Sequence, residues 1–134
     1  MKSLTFWLLL VGLLVTWRVM AGLNDDPPAS RIVLSGEFDV YVLHSPKPVL
    51  VTFTADWCGS CKKIDPVITR IASKVDGKAI FYEVDVDKHP EVADRFGVSS
   101  IPTLLIFDEG KVAERIHTAE ESAILKRLFS YIEE

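Results

Sequence analysis

The sequence predicts an α/β protein in which helices cover both faces of a mixed central sheet. Short β-branched apolar runs alternate with segments whose apolar residues recur at helical spacing. The last two apolar runs are separated only by "DEGK", which is a hairpin signal. Strands that alternate with helices form a sheet covered on both faces, and the hairpin adds antiparallel strands. A chain of 134 residues allows one compact domain.

The predicted strands are short apolar runs. Residues 49–54, "VLVTFT", are apolar and β-branched with little alternation, which predicts a buried central strand. The other predicted strands are "RIVL" (31–34), "AIFYEVDVD" (79–87), "TLLIF" (103–107) and "VAERI" (112–116).

Residues typical of helix ends predict two short helices. Ser35 can cap a brief helix over residues 38–43. Pro90 suits the first turn of another helix, which Gly97 can end.

Two longer helices present an apolar face. The first follows the two cysteines and contains Pro66, which predicts a kink. Thr118 and Glu121 form a predicted capping box at the start of the last helix. The predicted inward residues are Ile64, Val67, Ile68, Ile71, Ala72 and Val75 in the first, and Ile124, Leu125, Leu128, Tyr131 and Ile132 in the last.

The N-terminus is predicted to be an export segment. Lys2 precedes an apolar run from Leu4 to Trp17, which suits residues 1–21 as a cleaved signal peptide. The alternative is a retained membrane anchor over residues 4–23. Either arrangement sends the rest of the chain out of the cytoplasm, into the periplasm or another extracytoplasmic space, soluble or anchored.

A polar linker separates this segment from the folded domain. Residues 22–30, "GLNDDPPAS", contain two prolines that interrupt secondary structure, so we expect the domain to cover residues 31–134. The formal net charge of −4 gives no basic footprint, which argues against a nucleic-acid partner. We expect a monomer.

The segment "ADWCGSCKK" contains the only two cysteines of the chain. Cys58 and Cys61 follow a buried strand and begin a helix, whose N-terminus stabilises a thiolate. Cys58, nearer that terminus, is the predicted exposed nucleophile, and Cys61 the more buried residue that resolves a mixed disulfide. Gly59 gives the backbone freedom to close the ring, and Lys62 with its neighbour Lys63 adds positive charge.

Two other roles of the cysteines remain open from the residues alone. A zinc site needs about four ligands, and the three histidines lie on unrelated segments, so no metal is expected. A structural disulfide is compatible with export, although so short a loop restricts the unfolded chain little. Thiol–disulfide exchange is the favoured interpretation, and it needs no cofactor because the sulfurs carry the electrons.

The segments "VLVTFTADWCGSCKKIDP" and "FGVSSIPTLLIFDEGK" resemble the two signatures of the thioredoxin family. The likeness runs from about Arg31 to the C-terminus and includes Pro66, five residues past Cys61, and the later Ile-Pro-Thr. It implies the thioredoxin fold, three-layer α/β/α with a central mixed sheet.

The resemblance also implies roles for other site residues. Pro102 is expected to be cis and to lie beside the cysteine pair, and the backbone of Ile101 is expected to pair with an extended substrate. Trp57 is expected to shield the site and offer an apolar contact.

Three residues depart from the family's pattern. Ser60 replaces a proline, which in the family gives a less strongly reducing protein. Thr52 replaces a buried aspartate that takes the proton of the second cysteine; Glu83 either supplies that carboxylate through a water or is solvated at a strand end. Thr118 replaces a glycine, so it is expected to narrow the substrate groove as well as to cap a helix.

The sequence therefore predicts an exported thiol–disulfide oxidoreductase that reduces disulfides of extracytoplasmic client proteins. A reductant in that space needs a membrane electron donor, and an oxidant needs a thiol oxidant as partner. The alternatives are a disulfide donor or isomerase, and a non-catalytic binding module in which the cysteines are incidental.

Overall fold

The computed structural model describes residues 31–32 and 37–132. Within that part of the chain the strands form one mixed sheet in the order β1-β3-β2-β4-β5. The bounds are β1 Arg31–Ile32, β2 Val49–Thr54, β3 Ile80–Asp85, β4 Thr103–Asp108 and β5 Lys111–Ile116. β1, β3 and β2 are parallel, whereas β4 is antiparallel to β2 and β5 to β4. The predicted mixed sheet with a C-terminal hairpin is confirmed.

Helices α1 (Gly59–Val75), α2 (Pro90–Arg95) and α3 (Glu121–Ile132) lie where the sequence predicts helices. The brief helix predicted over residues 38–43 is a π-helical turn, Asp39–Leu43. Its predicted cap, Ser35, lies outside the described residues.

Two apolar cores lie on opposite faces of the sheet. Leu50 of β2 packs with α1 and α3 on one face, and Phe53 packs with the π-helical turn and α2 on the other. Successive residues of a strand point to opposite faces, so β2 contributes to both cores and is buried throughout. This arrangement confirms the three-layer α/β/α architecture and fixes the position from which the loop after β2 begins.

The β4–β5 hairpin is closed by Glu109 and Gly110, both with positive φ, 49° and 76°. Two central residues in this conformation make the primed turn that matches the twist of paired strands. A Cβ on Gly110 would lie 2.5 Å from the Leu43 carbonyl oxygen, so the turn packs directly against the end of the π-helical turn.

Of the capping box predicted at the start of α3, the contact of the Thr118 hydroxyl forms, but the prediction for the Glu121 carboxylate is wrong. The Thr118 hydroxyl accepts a hydrogen bond from the Glu120 amide at 3.1 Å. The Glu121 carboxylate, however, binds Arg70 and Lys74 of α1. Two cations on the neighbouring helix compete for it more strongly than one neutral backbone amide.

The predicted signal peptide or anchor (1–21) and linker (22–30) lie outside the described residues. Within residues 31–32 and 37–132, none of the helices combines the length and apolar character needed to cross a bilayer.

Candidate active site

The cysteine pair lies where β2 passes into α1. Cys58 is the N-cap residue of α1 in an extended conformation, and its sulfur accepts a hydrogen bond from the Cys61 amide at 3.2 Å. The two residues form a disulfide with their Cα atoms 5.3 Å apart. A cysteine in the cap position directs its sulfur at the free N–H groups of the first turn, which favour a negatively charged sulfur.

Both cysteines are buried in the disulfide form, with exposures of 4% for Cys58 and 1% for Cys61. The prediction that Cys58 is exposed is therefore wrong for this form, although Cys58 is the more accessible of the two. The reason is a small apolar cluster in which Val86, after β3, and Ile101 cover the pair. Local sequence did not reveal this cover because both residues come from distant segments.

The loop before β4 forms the other wall of the site. The Ile101–Pro102 peptide bond is cis, and both residues are half-buried. The Thr103 hydroxyl donates a hydrogen bond to the Ser100 carbonyl at 2.6 Å, closing the loop on itself. The side chain of Ile101 contacts the cysteine cluster, so the backbone on either side of the cis bond borders the disulfide.

Trp57 projects from the rim of the site and is 70% exposed. Its indole Nε1 donates a hydrogen bond to Asp87 Oδ2 at 2.7 Å. Sequence reasoning missed Asp87, and no local signal could have indicated it, because the two residues are 30 positions apart. The contact holds a large apolar surface in place beside Cys58.

The first turn of α1 presents polar groups around the pair. Gly59, Ser60, Lys62 and Pro66 are exposed, and Pro66 lies inside the helix. The Ser60 hydroxyl oxygen lies 3.4 Å from the sulfur of Cys58. Sequence reasoning noted the serine only as a replacement for proline, not as a group in contact with the reacting sulfur.

Glu83 is half-buried within β3, two residues before the strand ends. It pairs in register with Thr52 and lies on the same face of β3 as Phe81, which packs against α1. Burial, and then the neighbouring carboxylates Asp65, Asp85 and Asp56, raise the pKa of Glu83 above its ordinary value of 4.5. This side chain therefore faces the helix that carries Cys61.

Thr118 is half-buried at the end of β5, beyond the last paired residue Ile116. The adjacent His117 ring lies 3.5 Å from the hydroxyl of Thr103, which places this segment beside the cis-proline loop. Within the described part of the chain, no group of three or more His, Cys, Asp or Glu side chains is arranged to hold a metal ion.

A disulfide at a helix N-terminus, covered by two apolar side chains and bordered by a cis-proline loop, defines a thiol–disulfide oxidoreductase. The sequence model of the thioredoxin family matches residues 30–133. The chain is 44% identical to a thioredoxin of Mycobacterium tuberculosis over 107 residues, 80% of this chain and 92% of that one. It is 41% identical to a thioredoxin of Chlorobaculum thiosulfatiphilum over 96 residues, 71% of this chain and 89% of that one.

The crystal structure of a thioredoxin from Nicotiana alata superposes with a TM-score of 0.71 at 29% identity, covering 81% of this chain and 96% of that one. The chain belongs to the thioredoxin family. Its predicted fold and its activity as a thiol–disulfide oxidoreductase are confirmed.

Proposed function

We propose that this protein is an exported oxidoreductase that reduces disulfides in extracytoplasmic client proteins. The observation that carries the chemistry is the Cys58–Cys61 disulfide, capped on the N-terminus of α1 and bordered by the cis-proline loop. The apolar run from Leu4 to Trp17, preceded by Lys2, supports export, and the site requires no further cofactor.

The reaction proceeds in two exchanges. The Cys58 thiolate attacks one sulfur of the client disulfide, forms a mixed disulfide and releases the other client sulfur as a thiolate. Cys61 then loses its proton and attacks the Cys58 sulfur, which closes the Cys58–Cys61 disulfide and displaces the second client thiolate. The client gains two electrons and the pair loses two, so a dithiol on a membrane electron donor must restore the pair.

The client is held at the cis-proline loop. An extended client strand lies along the backbone of Ile101 and Pro102, where the chain borders the disulfide. Trp57 offers an apolar contact on one side, and the branched side chain of Thr118 narrows the groove on the other. The contact of Ile101 with the cysteine cluster, the cis bond at Pro102 and the exposed indole of Trp57 support this assignment.

Glu83 is the proton acceptor that we assign to Cys61. Cys61 is 1% exposed, so bulk water has little access to its proton in the second exchange. Glu83 is half-buried on the α1-facing side of β3, and burial raises its pKa, which makes the carboxylate a better proton acceptor than an exposed one.

Glu83→Gln tests this assignment in single-turnover resolution of a mixed disulfide between Cys58 and a small aromatic thiol. We expect resolution to slow at least about tenfold near neutral pH and to lose a titration step from its pH profile. Glu114→Gln is the matched control, because Glu114 is a half-buried strand glutamate on β5, paired with Arg127. A Glu83→Gln profile that overlays the parent profile would remove Glu83 from the mechanism.

The direction of electron flow is tested by the reduction potential of the pair, measured in glutathione or dithiothreitol buffers. A reductant should lie near the thioredoxin value of about −270 mV, and a disulfide donor or isomerase near about −120 mV. In the family, serine in place of proline gives a less strongly reducing protein, so Ser60 favours a potential above the thioredoxin value and thus a disulfide donor or isomerase. A pair that does not titrate in these buffers would support the non-catalytic binding module instead.

Export is tested separately by fractionation and by the mass of the N-terminus. We expect the protein outside the cytoplasm, either beginning near Gly22 after cleavage or retaining the apolar segment in the membrane fraction. Recovery in the cytoplasm with an intact N-terminus would contradict the proposal.

A further inference from the structure

We propose that Asp85 is a positioning residue for the exchange reaction, because its carboxylate holds the loop that covers the disulfide and fixes Trp57. We call residues 86–89, between β3 and α2, the cover loop. The effect of Asp85 on clients rests on the proposed function, in which Trp57 contacts the client, whereas its effect on the disulfide does not.

The amides of the cover loop converge on Asp85. This residue is the last of β3 and is 8% exposed. Its Oδ1 accepts hydrogen bonds from the backbone amides of Asp87 at 2.9 Å and Lys88 at 3.2 Å. Its own carbonyl oxygen accepts one from the His89 amide at 2.9 Å. Hydrogen bonds to a carboxylate are stronger than those to a neutral acceptor, so the side chain fixes the path of the cover loop.

The cover loop carries two groups that border the sulfurs. Val86 is half-buried and packs against the cysteine pair. Asp87 Oδ2 accepts the hydrogen bond of the Trp57 indole at 2.7 Å. If the amide contacts to Asp85 are lost, both the cover over the disulfide and the hold on the indole should loosen together.

Two substitutions separate these hydrogen bonds from the charge of Asp85. Asp85→Ala removes the acceptor, whereas Asp85→Asn retains a carbonyl oxygen that can take the place of Oδ1. Both remove the ion pair with Lys88 at 3.6 Å and one of the carboxylates that, after burial and Asp65, raise the pKa of Glu83. Effects of the charge are therefore common to both variants, and a difference between the variants reports the hydrogen bonds.

Gly77→Ala is the control for a loss of stability alone. Gly77 lies beyond Val75, the last residue of α1, which has 17 residues and is therefore about 25 Å long. The cysteines lie at the other end of this helix. Alanine at Gly77 strains the backbone, since φ is 73°, but its Cβ meets no atom within 4 Å. This variant should therefore weaken the fold without moving the cover loop.

The first measurement is the rate at which dithiothreitol reduces the disulfide of the oxidised full chain. One dithiothreitol thiolate attacks the Cys58 sulfur and displaces Cys61 as a thiolate. The second dithiothreitol sulfur then displaces Cys58, so the protein gains the two electrons that dithiothreitol loses. Because the rate depends on access to the sulfur, we expect Asp85→Ala to react at least about threefold faster than the parent. Asp85→Asn and Gly77→Ala should match the parent.

The second measurement is the single-turnover oxidation of the reduced full chain by excess insulin, a soluble protein with disulfides. We expect Asp85→Ala to raise the half-saturating insulin concentration about fivefold, as expected when one ordinary hydrogen bond no longer orders a contact. The maximum rate should not change, because the sulfurs are the same. Asp85→Ala would thus react faster with the small reagent and bind the protein disulfide more weakly, and a general loss of stability does not produce this opposition.

Val86→Ala and Asp87→Ala test the cover loop directly if Asp85→Ala does not fold. Val86→Ala should reproduce only the faster reaction with dithiothreitol, because it trims the cover. Asp87→Ala should reproduce only the weaker binding of insulin, because it releases the indole. If neither variant has its effect, Asp85 has no group through which to act, and the proposal is overturned.

The proposal is also overturned if Asp85→Ala behaves like Gly77→Ala in both measurements, or if Asp85→Asn changes them as much as Asp85→Ala does. The reaction with dithiothreitol needs no client, so it decides the role of Asp85 at the disulfide by itself. A parent protein that does not react with insulin would contradict the proposed reduction of client disulfides instead.

Discussion

At the scale of single residues, the two sulfurs are chemically similar but differently placed. Cys58 lies at the cap of α1, with a backbone donor directed at its sulfur and slightly greater exposure. Cys61 lies one turn into the helix and is covered by Val86 and Ile101 with the rest of the cluster. This asymmetry supports the proposed roles, in which Cys58 attacks the client and Cys61 releases it.

Serine substitutions test the assignment. Cys61→Ser should still form a mixed disulfide with a model disulfide but should not release it, whereas Cys58→Ser should form none. Both variants should fall to the uncatalysed rate in a multiple-turnover assay. Mass spectrometry after a single addition of substrate distinguishes the two, and a stable adduct on Cys58→Ser rather than on Cys61→Ser would reverse the assignment.

The raised pKa of Glu83 predicts the sign of a pH-dependent contribution to stability. Its folded-state pKa is raised, chiefly by burial, so its contribution to stability is fully present below the ordinary value of 4.5 and is lost as pH rises through the folded-state pKa. The amide introduced by Glu83→Gln does not ionise, so the variant does not lose this stability as the pH rises. We therefore expect the two proteins to have the same free energy of unfolding below pH 4.5. At neutral pH, the free energy of unfolding of Glu83→Gln should be the larger one.

Urea denaturation of both proteins across this pH range measures the difference. Because Glu83 is only half-buried, solvent screening limits the gain, and the sign rather than the size is decisive. A parent protein that is more stable than Glu83→Gln at neutral pH would mean that the charged carboxylate has a stabilising partner.

At the scale of elements, the β4–β5 turn joins the hairpin to the π-helical turn. Gly110 has a positive φ of 76°, and a Cβ added to it would lie 2.5 Å from the carbonyl oxygen of Leu43. Gly77, after α1, has a φ of 73° but no atom within 4 Å of that position. The two glycines therefore share the conformational constraint and differ only in the contact.

Gly110→Ala should consequently destabilise the protein more than Gly77→Ala does. The left-handed conformation costs alanine roughly 1–2 kcal/mol at either site, and at Gly110 the collision with Leu43 adds to it. The free energies of unfolding from urea titration measure both. Equal losses would show that the hairpin shifts away from Leu43 at little cost.

The elements also show how far the sequence predicts this molecule. β2, α1 and the hairpin were predictable because apolar periodicity and turn residues act over a few positions. The partners of Glu121 were not, because Arg70 and Lys74 come from a helix 47 or more positions away. The cover over Cys58 was missed for the same reason, since it comes from Val86 and Ile101.

At the scale of the whole molecule, the site is assembled from three distant segments. The start of α1 supplies the sulfurs, β3 supplies Glu83, the proposed proton acceptor, and the loop before β4 supplies the cis-proline wall. Only the complete sheet brings them together, since β2 pairs with both β3 and β4. Loss of the central strand would therefore remove the activity as well as the core.

The topology also fixes where the N-terminal segment joins the domain relative to the disulfide. β1 is parallel to β3 and β2, and Arg31 is level with Tyr82, itself paired with Val51. Val51 is the third of the six residues of β2, so Arg31 lies level with the middle of the sheet, whereas Cys58 follows the end where β2 finishes. The three steps from Val51 to Thr54 span about 10 Å, and the disulfide lies beyond the end of the sheet toward which β1 runs.

If residues 4–23 are retained in a membrane, the direction of β1, which runs toward the disulfide end of the sheet, should point the disulfide away from the bilayer. A flexible linker as short as residues 22–30 has a root-mean-square span of about 16 Å, which is too short for the domain to turn its far end readily to the lipid surface. We expect the full chain in lipid vesicles to reduce a soluble disulfide as fast as residues 31–134 alone do, and to reduce a disulfide tethered to the lipid surface much more slowly. Lengthening the linker with glycine and serine should restore the second rate and leave the first unchanged, because added reach lets the domain reorient without altering the site. Equal rates toward both substrates with the natural linker would show that the domain already turns freely, and that the direction of its attachment does not select its clients.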